Sequence, residues 1–220
     1  ERISACPALP GIAPYGYARI ETGCWVTPGN SFWRSARTVS APRPASVLIV
    51  TGAFAAWDPG DQRFDAVIAA TCWHWLDPDV RYQRAARALR PGGALAIVTT
   101  DHVVPDDGDP FFDDIQGVYD DIGESHPDGG PPAPDAISDL GDEIRASGYF
   151  ERVEVRRHLW EQPYTADEYV ELLGTYSGHS TMTVPQRERL SGEIKRRLAA
   201  RADGRARKHY LNLLHVARLS

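Results

Sequence analysis

Three short apolar runs constrain this chain more than anything else in it. They are SVLIV (46–50), FDAVIAA (64–70) and ALAIV (94–98). Each is rich in β-branched or small apolar residues and lacks the polar alternation of a half-solvated strand, so each reads as a strand buried on both faces. Between the second and third lies Asp77-Pro78, an N-cap with proline in the first turn, followed by Tyr82, Ala85, Ala86 and Leu89 at i, i+3, i+4, i+7. Pro91-Gly92-Gly93 stops that helix. Strand, helix, strand at this spacing is a βαβ unit, so the flanking strands should run parallel.

Downstream, Asp109-Pro110 opens a helix whose stripe is Phe112, Ile115, Val118, Tyr119 and Ile122, and Gly123 ends it. Residues 124–134 hold too much Pro and Gly for regular structure. Ile137, Leu140 and Ile144 mark a further helix ending at Gly148. The stretch 151–160 alternates polar and apolar residues, as expected near a sheet edge. Thr165-Ala-Asp-Glu168 is a capping box ahead of another helix. Leu190, Ile194 and Leu198 define the last helix, and 209–219 reads as a final strand in which His215 is structural.

Residues 1–45 differ. Six prolines and four glycines interrupt them, leaving a short strand at Tyr17–Glu21 and a short helix at Ser31–Ser40 as the only candidate elements. The expected division is therefore a divergent or truncated N-terminal part, 1–45, and a domain from 46 to 220.

Composition excludes several classes. With 24 basic and 30 acidic residues the net charge is −6, which disfavours a nucleic-acid partner. No apolar run is long enough for a transmembrane helix, so no membrane partner is expected. Three cysteines, an odd number without a C-x-x-C pair, argue against a disulfide framework or zinc site and favour a reduced, cytoplasmic setting. No signal peptide is recognisable. Charge is segregated: residues 101–144 carry fourteen acids and no Lys or Arg, while 185–220 carry ten Lys or Arg against three acids. Both a steering field and two solvated helical faces fit that pattern.

No G-x-S-x-G or H-E-x-x-H is present, and no metal site is indicated. In a doubly wound sheet, ligands bind beyond the carboxyl ends of the strands. Thr51–Trp57, Thr71–Leu76 and Thr99–His102 are the segments so placed. TCWHWLDP sets two tryptophans around a histidine, suited either to sandwiching a flat ligand or to capping the sheet edge.

FDAVIAATCWHWLDPDVRYQRAARALRPGGALAIV (64–98) resembles the fourth strand, following helix and fifth strand of class I S-adenosylmethionine-dependent methyltransferases, in particular the type-11 group. FDxV entering the strand, HWLDP leaving it and LRPGG before the next strand carry the resemblance. SVLIVTGAFAAWDPGDQRFD (46–65) is similar to the third strand and the loop bordering adenine, and YTADEYVELLGTYS and KHYLNLLHVAR fit the same group. The resemblance implies an α/β fold, a doubly wound, mostly parallel Rossmann-like sheet with its first strand lacking or degraded and a late antiparallel strand. It implies S-adenosylmethionine as cofactor and methyl transfer to a small-molecule substrate. Thr71, His74, Trp73 and Trp75 would lie near the methionine end and substrate mouth. Ala53, Phe54 and Trp57 would lie near adenine, and Glu21 near ribose. His74 would act as a general base or line the pocket. Tyr164, Tyr176 and His179 would line a substrate lid, with helix and loop packing as the alternative.

The family's E/D-x-G-x-G-x-G loop is absent from these residues. Truncation, a reading-frame error and divergence each account for that. A non-catalytic remnant that binds no cofactor is a second reading. A nicotinamide-dependent oxidoreductase is a third, and it too needs a glycine fingerprint.

Overall fold

The computed structural model describes residues 18–20, 24–27, 54, 57–125 and 129–220. The strand expected at 46–50 and the helix expected at 31–40 lie outside them. In chain order the strands are β1 (Ala18–Ile20), β2 (Cys24–Thr27), β3 (Phe64–Ala70), β4 (Leu89–Val103), β5 (Phe150–Thr165) and β6 (Arg205–Leu219). The α-helices are α1 (Arg81–Ala88), α2 (Phe111–Asp114), α3 (Gln116–Asp121), α4 (Gly141–Ala146), α5 (Ala166–Gly174), α6 (Ser177–Thr181) and α7 (Val184–Ala199). The six strands form one sheet in the order β1-β2-β3-β4-β6-β5.

The βαβ unit forms as the sequence predicts: β3 coincides with FDAVIAA, and it pairs parallel to β4 through the crossover that contains α1. The register jumps from Phe64↔Leu89 to Ala66↔Ala94, so Arg90–Gly93 bulge out of the ladder. Helix α1 starts later than expected. Asp77 caps a turn instead, its carboxylate accepting from Asp79 N–H at 3.0 Å while its carbonyl accepts from Arg81 N–H.

The expectation of a mostly parallel sheet needs correction: the sheet is mixed. β1 pairs antiparallel to β2, and β2 pairs antiparallel to β3. For the first of these pairs the reason is chain length. Only Glu21 to Gly23 separate β1 from β2, whereas a parallel connection takes roughly a dozen residues or more.

The chain divides into two compact units. Unit 1 comprises 1–99, 140–155 and 214–220; unit 2 comprises 100–139 and 156–213. In unit 1 the apolar core gathers Phe64, Val67 and Ala69 of β3, Leu95 and Ile97 of β4, Tyr82 and Ala85 of α1, Ile144 and Ala217. His215, 1% exposed, accepts the Leu140 N–H through Nε2 at 2.9 Å. That bond satisfies a donor at the N-terminus of α4.

In unit 2 the helices α2, α3, α5 and α7 bury Phe111, Phe112, Ile115, Val118, Tyr169, Leu173, Leu190, Ile194 and Leu198 together. Two capping boxes start its helices: Thr165 with Glu168 for α5, as the sequence predicts, and Thr183 with Gln186 for α7. Asp109, 7% exposed, ties the unit together. Its carboxylate accepts from the N–H groups of Phe111 (2.9 Å) and Arg207 (2.8 Å) and from both terminal nitrogens of Arg201 (2.8 and 2.5 Å). Burial pushes its pKa up, but the Arg201 guanidinium and the two backbone donors outweigh burial and hold it below the usual carboxylate range. With Arg189–Asp121 at 2.9 Å, this pair joins the acidic and basic stretches of the sequence to each other.

Candidate functional site

In unit 1 the TCWHWLDP segment leaves the carboxyl end of β3. Thr71 has φ 53°, a left-handed conformation that is an outlier for a β-branched residue. Its N–H donates to Val98 O at 2.8 Å and its hydroxyl to Ala70 O at 2.8 Å, which holds the chain in that turn. Trp73–Trp75 form one 3₁₀ turn, with Leu76 N–H donating back to Trp73 O. Such a turn advances ~120° per residue, so residues two apart face different ways.

The consequence separates the two tryptophans. Trp73 is 2% exposed and meets Tyr82 edge-on with ring centroids 5.1 Å apart. Arg81 lies 5.6 Å over the Trp73 ring, donates to Trp73 O at 3.0 Å and pairs with Glu143. Tyr82 completes this brace by donating to Glu143 at 2.8 Å; burial pushes its pKa up to about 12. Trp75, by contrast, is 75% exposed, and its ring sits 4.8 Å from that of exposed His74. Phe54 is buried, stacks on Trp57 at 6.5 Å, and Trp57 in turn meets Phe64 at 5.9 Å. Of the cofactor residues expected from sequence, Thr71, His74 and Trp75 thus present themselves to solvent, whereas Phe54 and Trp73 are core side chains and Trp57 is half-buried. Glu21 and Ala53 lie outside the described residues.

Unit 2 holds a cavity of about 430 Å³. Phe112, Ile115, Tyr169, Leu173 and Met182 supply apolar wall. Tyr176 and His179, two of the three expected substrate residues, line it; Tyr164, the third, instead bonds its hydroxyl to that of Tyr210 at 3.0 Å. His179 Nε2 lies 2.8 Å from the Tyr119 hydroxyl. Burial pushes the Tyr119 pKa up to about 12, and burial together with the Lys208 charge pulls His179 down. Both groups are neutral near pH 7, so one shares a hydrogen with the other.

Sequence reasoning missed the strongest feature of this cavity. Lys208, on β6, is 2% exposed. Its ammonium donates to the Tyr176 hydroxyl at 3.1 Å and lies 5.1 Å from the ring centroids of Tyr176 and Tyr210 and 5.8 Å from that of Tyr169. Burial lowers its pKa to about 8. The signal lay in the strand's alternation: Ala206, Lys208 and Tyr210 occupy inward positions. His102 also lines the cavity. Burial, then Lys208 and His209, lower its pKa to about 3, so it is neutral, and its buried Nε2 has no hydrogen-bond partner among the described residues.

Residues 26–97 match the family model of a methyltransferase domain. Uncharacterized methyltransferases of Mycobacterium bovis and Mycobacterium tuberculosis are 39% identical over 67 residues, covering 25% of this chain and 28% of theirs. The chain therefore spans under a third of the length of those curated relatives. Among solved structures, a proposed type II methyltransferase from Anaeromyxobacter dehalogenans aligns over 91% of this chain and 79% of its own, at 20% identity and TM-score 0.48. A Haemonchus contortus phosphoethanolamine N-methyltransferase in complex with phosphomonomethylethanolamine and S-adenosylhomocysteine aligns over 79% of this chain and 38% of its own, at 17% identity and TM-score 0.36.

The exposed groups after β3 suit the methyltransferase cofactor chemically. An indole and an imidazole present ring faces that attract a sulfonium cation or stack on adenine. Among the described residues, no group of three or more His, Cys, Asp or Glu could hold a metal, and no helix is long and apolar enough to cross a membrane.

Proposed function

We propose that the protein transfers a methyl group from S-adenosylmethionine to a small molecule. The observation that carries this is the match of residues 26–97 to a methyltransferase domain, a stretch that includes β3 and the exposed His74–Trp75 pair at its carboxyl end. When bound, the cofactor supplies the electrophilic methyl carbon, so the chain's task is positioning rather than providing a nucleophile. Thr71, held in its left-handed turn, orients the segment; Trp75 and His74 offer ring faces to the cofactor. Glu21 holds the ribose, and Ala53, Phe54 and Trp57 shape the adenine side, Phe54 and Trp57 by packing rather than by exposed contact. Trp73 fixes the loop from within the core. Tyr164, Tyr176 and His179 belong to the acceptor side, with Tyr176 and His179 facing the unit 2 cavity.

Calorimetry with S-adenosylhomocysteine tests the reading. Binding with a Kd on the order of 1–100 μM, corresponding to about 5.5–8 kcal/mol, and weakened by Trp75→Ala, is the expected result. A folded protein that gives no heat at millimolar ligand would refute it and favour a methyltransferase-like chain that binds no cofactor. His74→Ala separates the roles of that residue: a lining role weakens binding, whereas a base role leaves binding intact and lowers kcat.

A further inference from the structure

The unit 2 cavity contains an unusual electrostatic arrangement: a buried ammonium that, among the described residues, forms no ion pair with a carboxylate. Lys208 is 2% exposed, and its hydrogen-bond partner is the neutral hydroxyl of Tyr176. An ammonium has three donors, and one is used. Its other neighbours are the ring faces of Tyr169, Tyr176 and Tyr210, which attract a cation but accept no conventional hydrogen bond. A buried charge ordinarily finds an opposite charge. Here Asp109, a buried carboxylate of the same unit, is committed to Arg201 and two backbone donors, while Glu124, which lines the cavity, accepts from Gln186 at 3.0 Å and forms no ion pair with Lys208. A second group stands idle in the same wall, the buried Nε2 of His102.

We propose that this cavity binds a monocarboxylate with an aromatic or branched apolar body, its carboxylate taken by the free donors of Lys208. Both ends of the cavity chemistry argue for that class. The apolar wall of Phe112, Ile115, Leu173 and Met182 matches a hydrophobic body, and the volume of about 430 Å³ suits a small ligand. The aromatic cage already encloses its own cation, so a cationic ligand is repelled. A single buried ammonium balances one negative charge, which favours a carboxylate over a phosphate dianion. Burial keeps the Lys208 pKa near 8, and an anion beside the ammonium would raise it again. As an identification of the methyl acceptor, this inference rests on the function proposed above. As an identification of a ligand site, it stands on the cavity alone.

Calorimetric titration with benzoate, benzamide and inorganic phosphate tests it on the native chain. Benzoate should bind at least ~10-fold more tightly than benzamide, the factor expected for one charge-assisted hydrogen bond. Phosphate should bind more weakly than benzoate. Lys208→Met, which keeps the side-chain length in an apolar wall, should abolish the preference for benzoate. Equal affinities for benzoate and benzamide, tighter binding of phosphate, no benzoate binding at millimolar concentration, or an unchanged preference in Lys208→Met would each overturn the proposal. The benzoate–benzamide comparison requires no variant, so it stands even if the substitution impairs folding. S-adenosylhomocysteine titrated in parallel separates the two conclusions: benzoate binding without it defeats the methyltransferase reading and leaves the site, and the reverse defeats the site alone.

Discussion

Replacing Asp109 by Asn removes one charge and leaves the side chain almost unchanged in shape. In the native chain that carboxylate accepts four hydrogen bonds, two of them from the Arg201 guanidinium at 2.8 and 2.5 Å. An amide keeps one acceptor oxygen and turns the other corner into a donor aimed at donors. Breaking a buried pair costs about 3–5 kcal/mol. The Arg201 side chain is 27% exposed, so water answers part of its charge, and we expect a loss of about 2–4 kcal/mol. Urea denaturation at neutral pH measures the loss. Hydrogen exchange mass spectrometry places it, with faster exchange at the amides of Phe111 and Arg207. The pH dependence gives an independent check. The folded pKa of Asp109 is depressed, so its stabilisation is complete above the unfolded carboxylate pKa and fades as pH falls through the folded one. The difference between native and Asp109→Asn protein should therefore hold down to about pH 5 and shrink as the pH falls further. A variant within ~0.5 kcal/mol of the native chain at neutral pH, the range of an ordinary surface change, would refute the reasoning.

Three further expectations follow from the geometry. Trp73→Ala should cost about 3–5 kcal/mol, as for a fully buried aromatic, while Trp75→Ala, two residues away, should stay within ~0.5 kcal/mol; thermal melts of the two variants check the contrast. Lys208 has a folded pKa of about 8 against 10.5 for the free side chain, so burying its charge destabilises the native state fully below about pH 8, and that penalty lifts at higher pH. Native stability measured against Lys208→Met should rise by about 2 kcal/mol between about pH 7 and about pH 10, and a flat difference would contradict the assignment. Thr71→Gly should relieve left-handed strain and change stability by up to ~1 kcal/mol in the favourable direction, read from the urea midpoint.

What the sequence made legible was local. FDAVIAA carries enough β-branched and small apolar residues to define β3 without help, and Thr165 with Glu168 signals its capping box within four residues. The β1–β2 hairpin was not legible as an antiparallel edge, because its strands are too short to show a period. At the site, the sequence marked TCWHWLDP as a unit but did not distinguish Trp73 from Trp75. Their difference arises from the phase of one 3₁₀ turn and from the brace that Arg81, Tyr82 and Glu143 build around one ring. Lys208 escaped notice because it sits among other basic residues of the same stretch, the half-buried Arg205 and Arg218 and the exposed Arg207, and only the strand's inward alternation sets it apart.

The interleaving of the two units along the chain bears on how the protein assembles. Three of the four crossings between them, at 99/100, 155/156 and 213/214, fall inside β4, β5 and β6. Unit 1 must otherwise bring Phe64 and Ala217, far apart in sequence, into one core, at the entropic cost of closing a long loop. Unit 2 draws on nearer segments, and because β4, β6 and β5 are neighbours in the sheet, forming it holds three chain ends side by side. Those ends lead directly into the strand segments that unit 1 needs. The chain path thus makes the two loop closures share the same three strands, so each unit forms from segments whose continuations the other unit also needs.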